Sequence, residues 1–179
     1  MDAVIRFMND LQKEYARLAI ENWLTDELFT WTWWFLCSAT IIPWFIFIYL
    51  LDRNRALSIW LFGLMLILIT TFLDDLGSEL NIWTYPIKFI PVSLIAMPFD
   101  FSVIPVFFML IYQYFKTWRT FSMALLGGAL LFAFVGEPFS VWVGAVSYHG
   151  WKFYHSFIFY IISGMVSRAF TQKWIQPER

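Results

Sequence analysis

The stretch YPIKFIPVSLIAMPFDFSVIPVFFMLIYQYF, residues 85–115, decides how this chain is read. It is apolar through most of its length, yet it carries Pro86, Lys88, Pro91, Pro98, Asp100 and Pro105. As one straight helix it would run about 45 Å at 1.5 Å per residue, well past the ~30 Å of a bilayer's hydrocarbon core. The prolines also argue against one regular helix, because each removes an N–H and crowds the preceding turn. The expectation is a partial or re-entrant segment at 87–97, then a span from about Phe99 to Phe115, the whole forming a helix broken near Pro98. Non-helical backbone at that depth must be buried in protein or face water. Pro91, Pro98 and Pro105 recur at every seventh residue, so they would share one face of any helix formed there.

The flanking sequence is greasier still. Span one is expected over about Phe29–Leu51 with Pro43 inside it, and the charged turn Asp52-Arg53-Asn54-Arg55 ends it. Span two is expected over Ala56–Leu73, ending at Asp74-Asp75. Span four starts near Phe121, includes Gly127-Gly128 for close helix approach, and reaches Gly136-Glu137-Pro138. Span five is expected over Phe153–Phe170, before a short basic tail from Thr171 to Arg179. Trp23 and the Thr30–Trp34 run form one aromatic belt, and Tyr148, Trp151 and Tyr154 form a second. Residues 1–27 differ in kind. Val4, Met8, Leu11, Tyr15 and Leu18 fall at helical spacing between charged residues, which predicts an amphipathic helix lying in the interface or on the bundle. Two parts follow: 1–27, the interfacial helix, and 28–179, a transmembrane bundle. The fold class is all-α, an integral membrane bundle of about five spans. No internal repeat is evident.

Composition agrees. Of 179 residues, 60% are hydrophobic, 22% aromatic and 14% charged. A soluble fold of this size could not hide so much apolar surface. An ordinary cytosolic enzyme, a disordered chain and a nucleic-acid binder are excluded. The start, MDAVIRFMNDLQKEY, lacks the apolar core of a secretory leader. The single cysteine, Cys37, permits no internal disulfide and no thiolate zinc site. Lys and Arg set orientation. Arg53, Arg55, Lys116, Arg119, Arg168, Lys173 and Arg179 share one side; Arg6, Lys13, Arg17, Lys88 and Lys152 share the other. The C-terminus is therefore expected in the cytoplasm of a multi-pass cell-membrane protein.

Four residues are candidates for an intramembrane polar site. Asp100, between two phenylalanines, costs ~2.5 kcal/mol or more in hydrocarbon unless it meets a partner or keeps its proton. It reads as a proton or cation site, or as a structural N-cap of the following helix. Glu137 sits where Gly136 and Pro138 break a span, and broken membrane helices often carry ligand sites. Lys88 would pair with Asp100 or extend its stem to the headgroups. His155 lies in the second aromatic belt. Asp74, Asp75, Glu79 and His149 are weak metal candidates on one expected side, without a tight ligand motif. No cofactor is implied, and no nucleophile with an evident base stands out.

The order Trp83-x-Tyr85-Pro86, Lys88, Pro91, Pro98, Asp100, Pro105, Tyr112-Gln113-Tyr114 and Trp118, followed by Glu137, Tyr148, Trp151 and Tyr154, resembles an uncharacterised family of small multi-pass membrane proteins from spore-forming Gram-positive bacteria. The resemblance runs from span one to span five and implies a class and a source, but no catalytic role. Three functions follow as expectations. The first is a non-enzymatic binding or accessory component of the bacterial envelope, with membrane lipid, a protein partner or a second copy as its partner. The second is a small transporter or channel component using Asp100 and Glu137. The third is a membrane-embedded enzyme on a lipid or isoprenoid substrate.

Overall fold

The computed structural model describes residues 2–92 and 96–175. Its helices are α1 (Asp2–Asn22), α2 (Trp31–Leu50), α3 (Ala56–Glu79), α4 (Ile104–Tyr114), α5 (Trp118–Leu131), α6 (Glu137–Trp142) and α7 (Phe153–Trp174). Wide π-type turns precede α4 (Phe99–Val103) and join α5 to α6 (Phe132–Gly136), and a third follows α1 (Trp23–Glu27). The chain is helical, as expected, apart from two two-residue strands, β1 (Trp83–Thr84) and β2 (Ser147–Tyr148), that pair antiparallel.

Three helical stretches are long and apolar enough to cross a membrane: Trp31–Leu50, Arg53–Glu79 and Trp118–Trp142. Phe99–Tyr114 is apolar but shorter. The outer faces of these helices are greasy: Phe45, Ile48, Leu57, Leu68 and Phe72 are all more than 60% exposed. An uncovered apolar girdle of that size calls for an apolar surrounding.

Inside, α3, α4, α5 and α7 meet around Phe62, Leu66, Phe108, Met109, Phe121 and Leu125. Phe62 stacks on Tyr112 at 4.6 Å between ring centres. The buried face of α7 is small and polar, with Ser156, Ser163, Gly164, Ser167 and Thr171 turned to its neighbours. Small side chains let helices approach where no water drives them together. Gly63 meets the Met109 side chain and Gly164 meets Leu125, each closer than a Cβ would allow. Of the expected Gly127-Gly128 pair, Gly128 faces Phe107 and Ile111, whereas Gly127 faces open space.

The end opposite the strands is closed by backbone carbonyls meeting side-chain donors. Gln113 donates to Leu50 O and accepts from Asp52 N, both at 2.9 Å. Arg55 donates to Gln113 O. Arg168, 1% exposed, donates to Phe115 O at 3.0 Å and Lys116 O at 2.5 Å, and lies over the rings of Trp118 and Phe121 at 4.8 and 4.5 Å. A cation at the carbonyl end of α4 satisfies groups that the helix leaves open and complements its dipole.

Several expected boundaries move. Span two extends through Glu79, so Asp74, Asp75 and Glu79 belong to the last turns of α3 rather than to a loop. Of the expected re-entrant segment 87–97, residues 87–92 are irregular and 93–95 lie outside the described residues. Pro91 therefore shares no helix face with Pro98 and Pro105; the Tyr85–Val92 chain is instead held by side chains, described below. Arg168, one of the basic residues expected on the cytoplasmic side, is buried. The tail beyond Ile175, including Arg179, lies outside the described residues. Helix α1 is exposed nearly throughout, with Ala19 its buried residue. On its polar face Arg17 bonds Glu14 at 2.6 Å, which holds that carboxylate below its ordinary range.

Arg168→Ala is expected to destabilise the protein by about 2–3 kcal/mol, since it strands two carbonyls and removes a charged donor. Thermal unfolding in lipid should show a lower midpoint. Arg168→Lys should recover only part of it, because a point charge cannot replace the guanidinium fork. An unchanged midpoint in the alanine variant would show that other groups satisfy those carbonyls.

Candidate functional site

Two sequence segments with the same pattern build the site. Phe99-Asp100-Phe101-Ser102-Val103-Ile104-Pro105 and Phe132-Ala133-Phe134-Val135-Gly136-Glu137-Pro138 both read F-x-F-x-x-x-P. In each, the first five residues form the π turn and the proline follows one residue later. The physical reason is local. Proline has no N–H to offer the carbonyl four residues back, so the turn widens around it. Ile104 N–H then reaches Phe99 O, and Glu137 N–H reaches Phe132 O. The extra residue turns Asp100 and Glu137 inward; they are 5% and 7% exposed. Pro43 does related work in α2, where it removes the donor to Ala39 O, and Ser102 donates to the next carbonyl, Thr40 O, at 2.9 Å.

Between these turns, α2, the end of α3, β1 and α7 lies a cavity of about 610 Å³, within the usual range for small-molecule sites. Its walls are mostly aromatic and aliphatic, including Phe35, Ile42, Phe99, Phe132 and Phe159. Ile42, Leu131 and Val135 line it and are also half-exposed on the outside, so the cavity reaches the outer apolar surface between α2 and α5. Three carboxyls line it: Asp74, Asp100 and Glu137.

Two of the three are well supplied with donors. Asp74 Oδ1 accepts from Trp83 Nε1 at 3.0 Å and from the Tyr85 hydroxyl. Glu137 accepts from Ser156 Oγ and Tyr160 OH, both at 2.9 Å, and Trp151 Nε1 donates to Ser156 Oγ at 2.6 Å. Burial first, then the neighbouring acids, push the Tyr85 and Tyr148 hydroxyls far above their ordinary titration range, so both remain neutral. Asp100 differs: among the described residues its carboxyl has no hydrogen-bond donor. It and Asp74 also border a second, more polar cleft of about 400 Å³ between α1 and α3, where Gln12, Tyr15, Asp75, Ser78 and Glu79 face them.

The other sequence candidates lie elsewhere. Lys88 pairs with Glu27 rather than with Asp100. Its ammonium is 3.6 Å from Glu27, and its backbone N–H donates to Glu27 Oε2 at 2.6 Å. Glu27 is 1% exposed and also accepts from Asn22. Trp23 and Trp33, expected as belt residues, donate to the carbonyls of Lys88 and Phe89. Together these contacts pin the irregular segment over the bundle. His155 is a helix cap, with Nδ1 accepting from Lys152 N at 3.2 Å. His149 holds Thr84 at 3.0 Å on the strand pair. Asp74, Asp75, Glu79 and His149 do not converge; among the described residues no three potential ligands group around a metal position.

Sequence reading missed Glu27 and the donors Trp83, Tyr85, Ser156 and Tyr160. A signal for some of them was present. Trp83, Tyr85 and Asp100 of the first motif block meet Glu137, Tyr148 and Trp151 of the second on the walls of one cavity. The β1–β2 pairing, Trp83 opposite Tyr148, brings the blocks together. Comparison of the chain with protein-family models, with curated proteins and with solved structures finds no match.

Proposed function

We propose that this is an integral membrane protein of about five spans that takes an amphiphilic small molecule from the bilayer into its cavity, as a non-enzymatic binding or accessory component of the envelope. The two further spans are Phe99–Tyr114 and α7 (Phe153–Trp174). The first is 16 residues, about 24 Å at 1.5 Å per residue, and the second 22 residues, about 33 Å. The cytoplasmic side holds Arg53, Arg55, Lys116, Arg119, Lys173 and the C-terminus. One observation carries the binding reading: Asp100 is buried beside a largely apolar cavity and lacks a donor within the described residues. Its carboxyl faces the cavity and the cleft rather than a protein donor, and an acceptor enclosed there without a partner would cost up to about 1–3 kcal/mol. A ligand's polar end at Asp100 and Glu137 relieves that cost, and its apolar body fills the space between Phe35, Phe99, Phe132 and Phe159.

A transport reading is favoured by a separate feature. Asp74 and Asp100 border both the cavity and the polar cleft, so one pair of acids faces the apolar and the aqueous approach. An enzyme on a lipid or isoprenoid would use the same carboxyls as general acids. The mass of the bound species, before and after incubation, separates binding from conversion.

Native mass spectrometry of the protein extracted in lipid is expected to show a retained lipid-like species. Val135→Trp, which projects a ring into the opening, should lower its occupancy about tenfold while leaving the thermal midpoint within a degree or two. No retained species, or equal retention by the variant, would refute the cavity as the binding place.

Orientation is checked with Cys37→Ser as background. Lys13→Cys should react with a membrane-impermeant maleimide in intact cells, and Asn54→Cys only after permeabilisation. The opposite pattern would invert the topology.

A further inference from the structure

The chemistry of the cavity's carboxyls specifies the ligand's charge. We propose that the site selects an amphiphilic cation: an apolar chain or ring system bearing an ammonium group, held against Asp100. This rests on the cavity being a ligand site and adds the class of molecule.

Charge comes first. Asp74, Asp100 and Glu137 line the cavity, and none of its described lining residues is Lys, Arg or His. The adjoining cleft adds Asp75 and Glu79, again with no basic residue in its described lining. Three basic groups of the bundle are committed elsewhere: Lys88 to Glu27, Arg55 to Gln113, and Arg168 to the carbonyls of Phe115 and Lys116. An anion entering the cavity would meet three acids and no counter-charge. Within a low-dielectric wall that mismatch is costly, and a cation there is favoured for the same reason.

Hydrogen bonding comes second. The tyrosine, tryptophan and serine donors are aimed at Asp74 and Glu137. None is aimed at Asp100 among the described residues, although that residue is 5% exposed and faces both spaces. An ionised Asp100 therefore takes its donor, or its positive charge, from the ligand. A hydroxyl brings one donor and no charge, a protonated amine brings both, and a quaternary ammonium brings the charge.

Shape comes third. Trp83 lies edge-to-face with Trp151 at 5.1 Å and with Tyr148 at 6.3 Å between ring centres. All three, with Tyr85, line the cavity. Aromatic faces around a cation are the recurring recognition mode for alkylated ammonium groups. A bare metal ion fits worse, because no three ligating side chains converge among the described residues and the remaining walls are apolar.

The test uses the full chain in phosphatidylcholine nanodiscs, with four probes of equal chain length: dodecylamine, dodecyltrimethylammonium, dodecanol and dodecanoate. Binding is read by native mass spectrometry and by the tryptophan fluorescence of the cavity. The two cations are expected to bind at least about tenfold more tightly than dodecanol, and dodecanoate weakest of all. Asp100→Asn should weaken both cations by about tenfold or more and leave dodecanol within about twofold, which also shows that the variant is folded. Val135→Trp should weaken all probes that bind. Dodecanol binding as tightly as the amines, or Asp100→Asn weakening all probes equally, would overturn the selection for a cation and leave the cavity as a ligand site. Failure of all four probes to bind would overturn the cavity reading as well.

Discussion

A polar group away from water is costly unless it finds a partner within the protein. Side chains meet that cost at both ends of this bundle. At one end Gln113 and Arg168 meet the carbonyls that α2 and α4 leave open. At the other, Glu27 takes the backbone N–H of Lys88, and two indoles take the carbonyls of the irregular segment. Between them, Asp74 and Glu137 each receive two donors. Asp100 differs from these two acids: it lines the same cavity, and among the described residues no donor reaches its carboxyl.

The same requirement explains why the helices are irregular where they are. A regular helix turns its side chains at fixed angles and leaves no backbone group to spare. A proline breaks that regularity at one carbonyl, and the π turn absorbs the break by shifting each bond one residue along. The twin F-x-F-x-x-x-P segments place two such breaks in the walls of one cavity. In the first, the acid is the second residue of the pattern; in the second, it is the sixth. The backbone device is repeated, whereas the chemistry it presents is not.

Much of this was legible in the chain before its structure. Helix positions followed from apolar runs and from charged turns such as Asp52–Arg55. Asp100 and Glu137 stood out because carboxyls are rare in such runs. What was not legible depended on separations that no local pattern encodes. Glu27 and Lys88 pair across 61 residues, and Arg168 reaches carbonyls more than fifty residues away. Asp74 was read as the start of a loop, because a charged pair after an apolar run ordinarily marks the water's edge. In the structure α3 continues past it, and Gly77 explains how. The Trp83 ring lies against that glycine more closely than any Cβ permits, folding back over the helix end to reach Asp74. A glycine near a helix end is ordinarily read as a stop; here it makes room for the donor that keeps an acid inside.

The cavity and the cleft meet at Asp74 and Asp100, and this junction gives the site its directional character. On one side stand aromatic and aliphatic walls that reach the bundle's outer surface beside Ile42, Leu131 and Val135. On the other stand Asp75, Ser78 and Glu79 with the exposed helix α1 beyond them. A neutral lipid would use only the first side. A molecule with an apolar body and a charged head would use both, its body in the greasy space and its head at the acids that also face the cleft. Asp74 is already held by Trp83 and Tyr85, so the head's contact falls to Asp100. On the proposed reading the arrangement separates two tasks that one carboxyl could not perform: a fixed acid that shapes the wall, and one without a donor among the described residues that would answer to the ligand.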